Sequence, residues 1–289
     1  MKQVTIISGK GGTGKTTIAS SFIKLASNHV AVDCDVDAAN LHILLEPQIE
    51  KEELFSGSGK AYVTADCVDC GKCINLCRFG AISETDTTIE IDPVKCESCG
   101  VCIYACPYKA IELVSKEQGK FFTSGTEFCP FVHARLKPGA ENSGMLINRI
   151  RNIAEDIAYS QNKDLIIIDG APGIGCSVTA SLTGADFSLM VVEPSISAIS
   201  DFKKVYELVK FLNIKPYACI NKFDINIENT EEIERFCMQN KIEMAGRIPY
   251  DEKVPKLLAQ KRFIIDFKDN PAAVAIIHLW DRLKNDFYG

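Results

Sequence analysis

Residues 4–17 read VTIISGKGGTGKTT, and the order of their letters decides the fold. The first five are an apolar, β-branched run suited to a buried strand, and TTIASSFIKLA from Thr16 onward has the periodicity of a helix. Between them, Gly9 to Thr17 fit G-x-x-x-x-G-K-[ST], in the strand-to-helix context the motif requires. Gly9, Gly11, Gly12 and Gly14 let the backbone bend until successive N–H groups, including that of Thr13, face a phosphate chain at the helix N-terminus. Lys15 is expected to bridge the β- and γ-phosphates. Thr16 brings a hydroxyl to Mg2+, and Thr17 closes the cradle.

Outward from this loop, apolar runs recur at 29–35, 165–170, 187–194, 216–222 and 242–249, with helical periodicity at 16–27, 145–160, 198–212 and 229–239. Alternating strands and helices, the strands apolar throughout, predict a doubly wound, mostly parallel α/β sheet. LIIIDGAPGIG sets Asp169 behind four apolar strand residues, where its carboxylate can meet the Mg2+ shell.

Residues 61–114 break the rhythm with an internal repeat of period 29, in which Cys67, Cys70, Gly71, Cys73 and Cys77 recur as Cys96, Cys99, Gly100, Cys102 and Cys106. Each run is C-x2-C-x2-C-x3-C, the spacing of a chain wrapped around cubane clusters, with the fourth cysteine carried to the other cluster. One [4Fe-4S] cluster is thus expected on Cys67, Cys70, Cys73 and Cys106, and a second on Cys77, Cys96, Cys99 and Cys102. Zinc on C-x2-C pairs is the alternative that two four-cysteine runs fit less well. Arg78 stands where the second run has Pro107. The expected organisation is a discontinuous nucleotide-binding domain, 1–60 and 115–289, interrupted by a two-cluster ferredoxin-like α+β module at 61–114.

The remaining cysteines are 34, 129, 176, 219 and 237. A chain of 289 residues with net charge −6 and no run of basic residues carries no electrostatic footprint for nucleic acid. Its apolar runs are too short to span a bilayer, and the N-terminus lacks a secretory signal. A cytoplasmic protein is expected, in which thirteen cysteines indicate metal rather than disulfides. The final segment, 271–289, reads as a packed helix rather than a membrane-surface one.

Lys10, a second lysine just after the first glycine of the loop, carries a family resemblance. KGGTGKTT resembles the deviant Walker A of the MinD, Mrp/ParA and nitrogenase iron-protein superfamily, and the chain as a whole resembles its members with an inserted ferredoxin. The resemblance implies a homodimer sandwiching two MgATP, with Lys10 reaching the nucleotide of the facing subunit. It implies that Asp35, in VDCDVD, positions the attacking water and that Asp33 holds the Mg2+ water shell. Asn221 would read adenine, and Pro172 and Gly173 would belong to a nucleotide-sensing switch. Cys176 sits at the offset of a bridging-cluster ligand, but no cysteine stands at the partner position near Ala140.

The function so implied is a slow, partner-stimulated ATPase coupling dimer rearrangement to electron transfer through two clusters to a partner protein. The alternative is an Mrp-like iron-sulfur carrier serving an iron-sulfur client, although the C-x-x-C pair of those relatives' ATPase core is missing. A membrane-partitioning switch of the MinD kind is a third, weaker implication.

Overall fold

Apolar strands that must bury both faces, alternating with amphipathic helices, assemble here into one large sheet. The computed structural model describes residues 1–140 and 143–289. In chain order the elements are β1 (Lys2–Ser8), α1 (Lys15–Leu25), β2 (His29–Asp33), α2 (Leu41–Leu45), β3 (Gln48–Ser56), β4 (Lys60–Val63), α3 (Lys72–Leu76), β5 (Ile82–Glu84), β6 (Ile89–Ile91), α4 (Val101–Ala105) and β7 (Ile111–Val114). There follow β8 (Glu117–Gly125), β9 (Pro130–Leu136), α5 (Ser143–Ser160), β10 (Leu165–Pro172), α6 (Cys176–Leu182), β11 (Phe187–Val192), α7 (Ile196–Phe211), β12 (Lys215–Asn221), α8 (Ile227–Gln239), β13 (Glu243–Ile248), α9 (Lys253–Ala259) and α10 (Pro271–Tyr288). The chain forms two units, Met1–Glu53 with Lys120–Gly289, and Leu54–Gly119.

The larger unit is built on a sheet of nine strands among the described residues, ordered β13-β12-β11-β1-β10-β2-β9-β8-β3. Strands β13 through β9 run parallel. β1 lies centrally between β10 and β11, so the chain's direction of winding reverses beside it, and the carboxyl ends of β1, β2 and β10 converge where open α/β sheets bind ligands. One face is sealed by α1 and α10, where the Phe22 ring meets Trp280 edge-on at 5.0 Å and Phe287 closes the cluster. Asn270 starts α10 by accepting from the amides of Ala272 and Ala273, with Pro271 in the first turn. The terminal segment is therefore a packed helix, burying Ile276, Leu279, Trp280, Leu283 and Phe287. Among the described residues no helix is long and apolar enough to cross a membrane.

The sequence reading did not anticipate β8 and β9. β9 pairs with β2 in the register Asp33↔His133, and the His133 ring is stacked on Phe131 at 4.7 Å and on Phe122 at 4.8 Å. Aromatic contact makes this polar residue fit a buried strand.

The smaller unit holds two antiparallel pairs, β4–β7 and β5–β6, and the one-turn helices α3 and α4. Gly71 and Gly100, equivalent in the repeat, open these helices in left-handed conformation, φ 71° and 75°. Its core is small: Ala61, Ala81, Cys96 and Ile111, with partly buried cysteines and isoleucines packed around them.

Candidate functional site

The loop between β1 and α1 is held in shape from outside. Gly12 and Gly14 have φ of 80° and 92°, values that other residues reach only under strain. A Cβ at Gly9 would come within 2.6 Å of Asp201, so this position is closed by packing as well. Asn221 Nδ2 donates to the Thr13 carbonyl at 2.7 Å, and Lys222 Nζ donates to the Gly12 carbonyl at 3.2 Å. With two consecutive carbonyls tied down from one side, the loop amides are free to face the other.

Charge gathers beneath the loop. Lys15 Nζ lies 2.6 Å from Asp169 Oδ1, both side chains being almost fully buried. Burial alone would lower the Lys15 pKa, but the carboxylates of Asp169, Asp33 and Asp35 outweigh it and raise it. Asp33 faces Asp169 across β2 and β10 and accepts from the amides of Asp35 at 3.0 Å and Leu41 at 3.2 Å. Burial, reinforced by the Asp169 charge and opposed by Lys15, pushes the Asp33 carboxyl up to about 8. Burial also raises Asp35, which accepts from the Ala38 amide. A divalent cation beside these acids would reverse the tendency and hold them ionised.

The residues fit Mg2+ and a nucleotide. Asp169 Oδ2 and Thr13 Oγ1 are buried without a protein partner, and an unsatisfied buried acceptor calls for a cation, water or ligand. A cavity of about 340 Å3 runs over Gly11, Gly12, Gly14, Thr16 and Thr17 to Asp35 and Pro172. A second, about 170 Å3, shares Gly12, Gly14 and Thr17 and ends among Asn221, Ile248, Pro249, Tyr250, Asp251 and Ile276. The first suits the phosphates and the second a flat base. Asn221 lines this second cavity and spends one amide hydrogen on Thr13 and its Oδ1 on the Lys222 amide.

Lys10 lies on the exposed side of the loop, 3.3 Å from Ser197 Oγ and 3.9 Å from Glu193 Oε1. Glu193 also pairs with Lys222 at 3.0 Å and so sits between Lys10 and Lys222. Sequence reasoning missed Glu193 and the base-end residues Tyr250 and Asp251. Their signals were the strand-end stretches Glu193-Pro194 and Pro249-Tyr250-Asp251, visible only as turns. Cys176 is exposed at the start of α6.

In the smaller unit, Cys67, Cys70, Cys73 and Cys106 line one cavity, and Cys77, Cys96, Cys99 and Cys102 line another. The Ala110 amide donates to Cys106 Sγ and the Ala81 amide to Cys77 Sγ, each at 3.3 Å, as the repeat requires. Among the described residues, no three His, Cys, Asp or Glu side chains come close enough to hold a single metal ion.

Comparison with known proteins sets this geometry in context. The chain is 34% identical over 291 residues to an uncharacterized protein of Methanocaldococcus jannaschii, covering 98% of this chain and 96% of that protein. It is 23% identical to the iron-sulfur cluster carrier protein of Pyrococcus horikoshii, over 98% of this chain and 85% of the relative. In fold it resembles the MinD cell division protein of Aquifex aeolicus, with TM-score 0.56 at 19% identity, over 99% of this chain and 97% of that one. Residues 4–264 match the CobQ/CobB/MinD/ParA nucleotide binding domain, and the chain belongs to that family.

Proposed function

We propose that the chain binds and hydrolyses MgATP as a homodimer and uses this cycle to control electron transfer through two [4Fe-4S] clusters to a partner protein. The reading is carried by the sorting of eight cysteines into two sets of four, each lining its own cavity, in a chain that also has a phosphate loop. Four thiols and few other polar donors are the chemistry that iron-sulfur clusters accept. When bound, such clusters supply one-electron redox capacity. The chain's part is to close each set with a cysteine from the other run and to steady Cys77 and Cys106 through the Ala81 and Ala110 amides.

At the nucleotide, Lys15 exchanges Asp169 for the β- and γ-phosphates, while Thr16, Asp33 and Asp169 surround Mg2+. Asp35 orients a water for attack on the γ-phosphorus. A P–O bond forms to that water, the bond to ADP breaks, and the water's protons leave with phosphate and solvent. Asn221 meets the base. Lys10 leaves Glu193 and Ser197 to reach the nucleotide of the second copy, so a single chain turns over slowly and the assembled complex faster. The cluster chemistry implies a reducing, cytoplasmic setting.

A second reading, a carrier that delivers clusters to a client, is favoured by relatives named iron-sulfur cluster carrier proteins. One experiment separates the two. The anaerobic protein is titrated for midpoint potential, and its iron is followed in the presence of an apo iron-sulfur protein, with ATP, ADP or neither. Midpoints that move with nucleotide while about eight irons stay with the chain support electron transfer. Unmoved midpoints with ATP-dependent loss of iron to the client select the carrier. Stoichiometric zinc and no iron after reconstitution sinks both.

A further inference from the structure

The two cysteine sets are related by a repeat of 29 residues, and the repeat fails at charged positions that touch the cysteine loops. Asp69 Oδ1 lies 3.6 Å from Cys67 Sγ and is fixed there by the Ile89 amide at 2.9 Å and the Thr88 hydroxyl at 3.1 Å. Its repeat equivalent is Ser98, which is uncharged and shares the same left-handed backbone, φ 56° against 52°. On the other set, Lys60 Nζ donates to the Cys96 carbonyl at 2.7 Å. Its equivalent is Ile89.

We infer that the two clusters are inequivalent by design: the Cys67/Cys70/Cys73/Cys106 set is the low-potential one, and an electron settles on the Cys77/Cys96/Cys99/Cys102 set. The inference rests on the cluster reading above. Reduction adds one negative charge to a cluster, so a fixed carboxylate at a ligating sulfur disfavours it, and a fixed ammonium on a ligand's carbonyl favours it. A single electron from a low-potential one-electron donor such as dithionite reduces one cluster. If it enters at the first set, that cluster is reoxidised as the second is reduced, with no proton transferred.

Opposing groups are weaker. Lys72 and Lys109 near the first set, and Glu97 near the second, are exposed and mobile in solvent, whereas Asp69, exposed as well, is held at Cys67 Sγ by the Thr88 hydroxyl and the Ile89 amide. Arg78, which follows Cys77, is likewise exposed and screened by solvent and salt. The Asp69 amide donates to Cys67 Sγ at 3.4 Å and eases reduction of the first set, but as a neutral dipole against a full charge.

The test is an anaerobic potentiometric titration followed by electron paramagnetic resonance on the reconstituted full-length protein. Wild type should show two resolved midpoints. Asp69→Asn should raise the lower midpoint only, by at least about fivefold in the reduction equilibrium, or about 40 mV at 59 mV per tenfold. Lys60→Met should lower the upper midpoint only. Ser98→Asp, which writes the first half's acid into the second at a half-buried position lining the cysteine cavity, should also lower the upper midpoint and narrow the gap. Eight irons with coincident midpoints, or an Asp69→Asn shift confined to the upper midpoint, overturns the polarity and leaves the cluster reading intact. Protein that takes up no iron overturns both.

Discussion

The nucleotide loop and the cysteine module are both organised by glycines in left-handed conformation, yet they get their order from different sources. The loop sits on a sheet whose central strands are buried on both faces, and its carbonyls are pinned by Asn221 and Lys222 from the end of β12, two strands away. The module, Leu54–Gly119, buries Phe55, Ile82, Ile89 and Ala110 besides the cluster of Ala61, Ala81, Cys96 and Ile111, a short set beside that of the larger unit. A segment of that size with few large buried side chains has little to set against its conformational entropy, and on the proposed reading the clusters would supply the rest. The loop is thus a site made by a fold, whereas the module, on the proposed reading, would be a fold completed by its clusters.

The largest effect that could break this contrast comes from stripping iron. Chelation under reducing conditions is expected to expose 54–119 to limited proteolysis while ATP binding by the remainder survives, because on the proposed reading cluster binding and folding would be one equilibrium in the module. Equal protease resistance with and without iron would show that the module folds by itself. Next in size, Lys15→Ala should weaken ATP binding by 100-fold or more, roughly 3 kcal/mol, by removing a charge-assisted phosphate contact and leaving buried Asp169 uncompensated. Calorimetry of nucleotide binding measures it.

Acid should act on the larger unit through its buried histidines. His29, buried with neither ring nitrogen partnered, has its pKa lowered to about 4 by burial and by Lys163, and burial chiefly brings His133 to about 4 as well. The unfolded chain binds protons more readily than the fold, so stability is complete above about 6.5 and is lost as pH falls toward 4. The slope from His29 alone is at most about 3 kcal/mol over that window, and His29→Phe should flatten it in urea melts read at pH 5 and pH 7.5. A steep slope unchanged by the substitution would move the effect elsewhere. The subtlest effect is Lys10→Ala. Nucleotide affinity of the single chain should change less than about threefold, since Lys10 touches Ser197 and Glu193 rather than the cavity floor, while ATP-induced dimerisation and hydrolysis disappear. Sedimentation with ATP checks the first loss and phosphate release the second.

Legibility followed how local each constraint is. Gly12, Gly14, Lys15 and the cysteine spacing are dictated by backbone geometry over a few residues and could be read directly. The central strands could be read because burial on both faces leaves continuous apolar runs. β3, QIEKEELFS, and β9, PFVHARL, could not, because one is almost wholly exposed and the other hides its histidine among aromatic rings supplied by α2, β8 and β9 itself. Glu193 escaped for a similar reason. Its partners Lys10 and Lys222 lie far away in sequence, and only the assembled sheet brings the three together.

The position of β1 at the middle of the sheet has a consequence for synthesis. Its two neighbours are β10 and β11, so the first strand made, Lys2–Ser8, finds no partner until Leu165–Pro172 has been translated. At about 5 to 20 residues per second, the nascent apolar strand waits on the order of 10 to 30 s. The whole of Leu54–Gly119 emerges from the ribosome within that interval. The cysteine-bearing segment is complete before the sheet can close, so on the proposed reading iron supply and chaperone protection of the amino-terminal strand would act on the same growing chain.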